Sequence, residues 1–161
     1  MPNLLHPQEN ERLEAVHRLE ILDTPPDERF DEVTKNALKL LNVKISTITI
    51  VDKDREWFKS CQGMDSKEGP RELAFCSYAM LAKSIFIIED TLLDPRFKEN
   101  PYVTGYPFVR FYAGIALIDA VSGLPVGVFC IKDDKPRKFE LKEIGVFMEL
   151  AEQAEKLVNS K

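Results

Sequence analysis

The Pro25-Pro26 pair constrains the fold of this chain more than any other feature of its sequence. Each proline lacks an amide donor, and Pro25 also biases Thr24 away from helical angles. A helix arriving from the N-terminal side must therefore end before Asp23-Thr24-Pro25-Pro26. Upstream, Glu9 to Leu22 carries Leu13, Val16, Leu19 and Leu22 at three-residue spacing with charges between them, which predicts an amphipathic helix. Downstream, about Asp27 to Leu41 sets Phe30, Val33, Ala37, Leu40 and Leu41 on one face, with acidic Asp27 and Glu28 at the positive end of the helix dipole. Each helix has one face to pack and one to leave in water.

The surface they pack against follows at once. Ile45 to Val51 is dense in β-branched residues, and Ile48 and Ile50 alternate with threonines, predicting a half-buried strand. Asp52-Lys53-Asp54 turns it, and Glu56 to Cys61 returns as the second arm of a hairpin. Gln62 to Pro70 reads as loop, Arg71 to Leu81 as a short helix and Ile85 to Ile88 as a buried strand. Asp90 to Pro107 is a long connection with room for one helical turn, and long connections in compact domains often carry function. Arg110 to Ile118 and Val126 to Ile131 form a second hairpin around Gly123, and Phe139 to Val158 closes the chain as a helix with Ile144, Phe147, Ala151, Ala154 and Val158 in one stripe. This order predicts an α+β fold: a central antiparallel sheet with the terminal helices on one face and the short helix plus long loop on the other.

Bulk properties narrow the function classes. At 161 residues the chain is one domain's worth, with residues 1–8 expected as a flexible N-terminus, 9–158 as the domain and 159–161 as a tail. The net charge is −5 and the basic residues are scattered, so no phosphate-neutralising face exists and nucleic acid is not an expected partner. The longest apolar run is far below the roughly 20 residues of a membrane span, and the N-terminus lacks a secretory pattern, so the expectation is cytoplasmic with no membrane partner. Three cysteines at wide spacing, Cys61, Cys76 and Cys130, read as small hydrophobes rather than a disulfide or zinc framework.

A set of short motifs then becomes recognisable in order: Arg12-Leu13, Leu22 to Pro26, Arg29-Phe30-Asp31, Val51-Asp52, Trp57 to Ser60, Phe75-Cys76, Asp90, Asp94 to Phe97, Asn100-Pro101, Val103 to Gly105 and Arg110 to Gly114. Together they resemble the GAF domains found beside bacterial and archaeal histidine kinases and diguanylate cyclases. The resemblance runs from about residue 10 to 155. It implies a profilin-like sheet of five to six strands and a pocket that in relatives accepts cyclic nucleotides, tetrapyrroles or other small molecules. It also implies dimerisation through the terminal helices and an effector. No kinase or cyclase segment fits in the remaining residues, so the expectation is action alone, with an effector in trans, or as a fragment of something longer.

The expected ligand-binding set is Trp57, Phe75, Cys76, Asp94, Arg96, Phe97, Tyr102, Arg110, Phe111 and Tyr112. Aromatic rings offer flat walls, and a guanidinium at a strand mouth can grip a carboxylate or phosphate. Arg110 has a competing structural reading, pinning the long loop through Asp90 or Asp94, and Arg96 shares it. Asp52, Asp54, Asp90 and Asp94 read as turn caps rather than metal ligands, and no cofactor can be named. His6 and His17 lie far in sequence from the pocket candidates, so a catalytic base is missing and the chain is expected not to be an enzyme. Two alternatives stand beside the sensor. One is a stand-alone thiol enzyme like the free methionine-(R)-sulfoxide reductases, although Pro107 to Gly114, where that family's reactive cysteine is expected, contains none. The other is a ligandless docking module with a helical seam built from Leu13, Val16, Met148 and Leu157.

Overall fold

A computed structural model describes residues 4–160. The first helix, α1 (Glu9–Leu19), stops three residues short of the expected Leu22, because Glu20 adopts a left-handed conformation and its amide turns back to the His17 carbonyl. This early stop lets Ile21 fold in against the core. After the proline corner, α2 (Glu28–Leu41) starts on Asp27, whose carboxylate accepts the Arg29 amide, and ends at a left-handed Asn42.

Six strands make one antiparallel sheet: β1 (Ile45–Val51), β2 (Arg55–Gln62), β3 (Glu68–Pro70), β4 (Phe86–Ile88), β5 (Phe111–Ile118) and β6 (Pro125–Asp133), in the spatial order β3-β2-β1-β6-β5-β4. Both expected hairpins form, β1 with β2 and β5 with β6. The β1–β2 ladder carries a bulge, with Ile48 opposite Ser60 and Thr49 opposite Phe58. The residue it leaves out is Lys59, whose Nζ donates to Thr24 Oγ1 at 2.8 Å and to the Pro25 carbonyl at 2.6 Å, tying the sheet to the proline corner. β3 was not expected. Three residues including a glycine and a proline leave no periodic signal, and Pro70 is tolerated because the strand is an edge.

Strand β1 is buried along its whole length rather than half-buried. Alternation reports which face a side chain takes, not whether that face is wet. Ile48 and Ile50 join a core beneath α1, α2 and the C-terminal helix α5 (Leu141–Val158), where Phe147 packs tilted against Phe129 and edge to face with Phe139. Thr47 and Thr49 face a second core instead, their hydroxyls 2.9 Å apart. That core lies under α3 (Cys76–Leu81), α4 (Pro101–Thr104) and the long connection. The helix expected over Arg71–Leu81 splits into a 3-10 turn at Arg71–Leu73 and α3, since Ala74 N and Ser77 Oγ both return to the Arg71 carbonyl. Helix α4 begins with Pro101 and is capped by Asn100. Helix α5 opens on a reciprocal capping box between Glu140 and Glu143, which leaves Phe139 free to pack on Phe111.

The expected flexible N-terminus falls partly on residues 1–3, and the tail partly on Lys161, which lie outside the described residues. Among the described residues, no helix is long and apolar enough to cross a membrane. The Leu4 carbonyl accepts from Arg71 Nη2 at 3.1 Å, within a buried network. Arg71 also donates to the Asp52 and Lys53 carbonyls of the β1–β2 turn. It shares the Glu9 carboxylate with Arg12, and both guanidiniums are essentially sealed from solvent. Partial burial of Glu9 raises its carboxyl, but the hydrogen bonds and charges of the two arginines outweigh that and lower it to about 2.

A carboxylate depressed in the folded state contributes stability that is complete above its unfolded value and fades as pH falls through the folded one. The stability of the protein should therefore decline between roughly pH 4.5 and pH 2 as Glu9 is protonated. Glu9→Gln should cost about 3 kcal/mol near neutrality, because two buried cations lose their counter-charge, and should flatten that acid slope. Urea midpoints recorded across the window for both proteins check this, and parallel curves would refute it.

Candidate ligand-binding site

Side chains on the sheet face away from the long helices converge on a half-open pocket with about 530 Å³ of empty space, counted out to solvent. Glu56 and Phe58 reach it from β2 and Lys132 from β6. Phase along the strand decides this: Glu56 and Phe58 flank Trp57 and so point opposite to it, while Lys132 shares the face of Cys130. Phe75 enters just before α3, Tyr102 comes from α4, and Tyr106, Pro107 and Val109 come from the end of the long connection. Met64, Ser66, Glu68 and Gly69, from the β2–β3 loop and β3 itself, close the remaining side.

Two charged groups define the polar chemistry. Glu56 is 3% exposed, and its Oε1 has no hydrogen-bond partner among the described residues. Burial pushes its carboxyl up, opposed by the Lys132 charge and a hydrogen bond with Cys76. Lys132 is 7% exposed. Burial works against its charge, but the acidic groups of Cys130, Glu56, Cys76 and Cys61 together outweigh burial and hold the ammonium above the ordinary lysine value. Tyr102 is likewise pushed up, by burial and then by Glu56.

Beneath the pocket floor lies a thiol cluster. Tyr112 Oη donates to Cys76 Sγ at 3.5 Å, and Thr47 Oγ1 lies 2.9 Å from Cys130 Sγ. The hydrogen bond with Cys130, then burial, drives the Cys76 thiol up. Burial also opposes ionisation of Cys130, but Cys76, Lys132 and Thr47 outweigh it, making Cys130 the more acidic of the two. Cys61 is half-buried and is pushed up to about 11 by burial. Among the described residues, no cysteine lines the pocket itself.

Of the expected ligand-binding residues, Phe75 and Tyr102 line the pocket. Cys76, Phe97 and Tyr112 lie fully buried in the core around it, with the Phe97 ring 4.6 Å from that of Phe75. Asp94 and Arg96 pair with each other at 2.7 Å, and the Arg96 guanidinium rests over Tyr78, Phe86 and Phe97. Arg110 binds Asp90 at 3.1 Å and so pins the long connection. Trp57 and Phe111 need correction: both belong to the core under the long helices. The reason is strand alternation, because Trp57 beside Phe58 and Phe111 beside Tyr112 cannot share a face. Glu56 and Lys132 escaped the sequence reading although the same alternation marks them, each as a lone charge on an inward strand position. Among the described residues, no group of three or more His, Cys, Asp or Glu side chains is placed to hold a metal ion.

Residues 25–158 match the GAF domain. The chain belongs to the GAF domain family. This GAF chain is 42% identical over 129 residues to cyclic di-GMP phosphodiesterase PA2567 of Pseudomonas aeruginosa, a match covering 80% of this chain and 22% of that protein. The chain thus spans about a fifth of the length of this curated relative. Its structure is similar to a domain assigned to a two-component sensor histidine kinase protein of Sinorhizobium meliloti 1021, with TM-score 0.61 and 16% identity over 84% of this chain and 92% of that one. It is also similar to the free methionine-R-sulfoxide reductase of Neisseria meningitidis in complex with its substrate, with TM-score 0.64 and 16% identity over 98% of each chain. At these identities the two structures show the shared α+β fold alone. The expectation that the chain is not an enzyme is corrected by the Pseudomonas relative, because the matching segment belongs to a named phosphodiesterase.

The Arg110–Asp90 pair is partly exposed on both sides, so its strength should be modest. A double-mutant cycle with Arg110→Ala and Asp90→Ala, read by urea unfolding, should give a coupling of about 1 kcal/mol or less. A coupling several times larger would show that Arg110 does more than hold the loop.

Proposed function

We propose that this GAF chain is a small-molecule-sensing regulatory domain whose output is cyclic di-GMP turnover. The observation that carries the sensing reading is the pocket itself, whose aromatic walls surround a buried carboxylate oxygen with no partner. Buried polar atoms are ordinarily satisfied, and an occupant would satisfy this one. The output reading rests on the 42% identity to a cyclic di-GMP phosphodiesterase. A histidine kinase or a diguanylate cyclase acting in trans is the other effector class to which the motifs point.

A route for the signal is built in. The segment that frames the pocket starts at Arg71, which is bonded to Glu9 of α1, so ligand-induced movement of the Arg71–Leu81 segment reaches the N-terminal helix. A second copy docking through the terminal helices would relay it further. Val16 is not available for that seam, being fully buried in its own core, whereas Met148 is 40% exposed.

Native mass spectra of the purified protein, before and after denaturation, test the sensing reading. A small molecule retained in the native spectrum and released on denaturation is expected. Tyr102→Ala should reduce the retained fraction by about tenfold, through loss of one wall and its hydroxyl. A chain that stays empty, and whose unfolding midpoint does not respond to a small-molecule extract of its own cells, would overturn it.

A further inference from the structure

We infer that the pocket takes a compact zwitterion of the α-amino-acid class, its ammonium on Glu56 and its carboxylate on Lys132. The inference rests on the sensing reading of this same pocket and narrows it to a ligand chemistry.

Opposite charges line one small space without meeting. Glu56 and Lys132 each feel the other's charge, yet no ion pair forms between them within 4.0 Å. Among the described residues the Lys132 ammonium has no hydrogen-bonded or ion-paired partner, and Glu56 Oε1 has none either. Buried charges in proteins are ordinarily paired, so the gap between these two is where a partner for both belongs. A simple anion would satisfy Lys132 and set a negative charge beside Glu56. A simple amine would do the reverse. A molecule that carries ammonium and carboxylate on one carbon satisfies both at once, and an ammonium against Oε1 also supplies the counter-charge that keeps the buried carboxyl ionised.

Gly69 supports the same reading. A Cβ at this position would come within 3.1 Å of Tyr102 Oη and 3.4 Å of Glu56 Oε2, so a side chain here would crowd the approach to the carboxylate that glycine leaves open. Of the remaining walls, Phe58, Phe75, Tyr106 and Val109 are apolar or aromatic and suit an uncharged side chain, while the carboxylate of Glu68 is already held by Arg55 at 2.9 Å. The available space includes the open mouth, which restricts the occupant to a small molecule.

Calorimetric titration of the full chain with L-leucine, L-valine and L-phenylalanine tests the assignment. At least one should bind saturably. Its N-acetyl derivative, which lacks the ammonium, and its amide, which lacks the carboxylate, should each bind at least about tenfold more weakly, as expected when a buried charged group loses its partner. Glu56→Gln should erase the discrimination against the N-acetyl form, and Lys132→Met the discrimination against the amide. The derivative series uses the unaltered chain, so it does not depend on either variant folding. Equal binding of an amino acid and its two derivatives, or no binding of any amino acid at millimolar concentration, would overturn the inference. A retained molecule in the native spectrum that lacks either charge would overturn it too, and would leave the sensing reading standing. An empty native spectrum together with no amino-acid binding would sink both.

Discussion

One carboxylate between two buried guanidiniums holds the parts of this molecule in register. Glu9 binds Arg12 and Arg71, and those two arginines reach the start of β6, the β1–β2 turn and the Leu4 carbonyl. Neither arginine can be sealed from water without that counter-charge. Four segments distant in sequence, the N-terminal stretch with α1, the β1–β2 turn, the 3-10 turn and the start of β6, are therefore joined around a single ionised group. The 3-10 turn at Arg71–Leu73 is fixed by the same network, and it sets where α3 begins and hence where Phe75 enters the pocket.

The sheet divides the interior in two. The core under α1, α2 and α5 is filled by aliphatic side chains and tilted or edge-to-face phenylalanines. The other is smaller and mixes aromatic rings with thiols, hydroxyls and charges. One face thus works as scaffold while the opposite face carries a polar interior that hydrophobic packing alone does not explain.

Much of the first face was legible in the sequence, because long helices with regular apolar spacing and the β-branched run at β1 leave strong periodic signals. The proline corner, the two hairpins and the final helix followed from local chemistry. The second face was harder to read. Three-residue β3 carries no period, and the split of the Arg71–Leu81 helix depends on carbonyl contacts that no spacing reports. Aromatic residues stand out by type, but type does not assign a face: Trp57 and Phe111 read as pocket walls, yet each stands next to the residue that points the other way. Counting strand phase outward from Ile48 would have placed Glu56 and Lys132 on the pocket side, and would have gathered Cys61 and Cys130 around Thr47.

The sheet is bounded by its two shortest strands, β3 and β4, each three residues long. Unpaired backbone groups at a sheet margin can recruit a neighbouring chain, and strands as short as β3, which ends at Pro70, and β4 each offer few of them to a foreign strand. A domain whose relatives occur inside longer polypeptides can therefore lie at high local concentration beside other β-rich domains without fusing to them edge to edge.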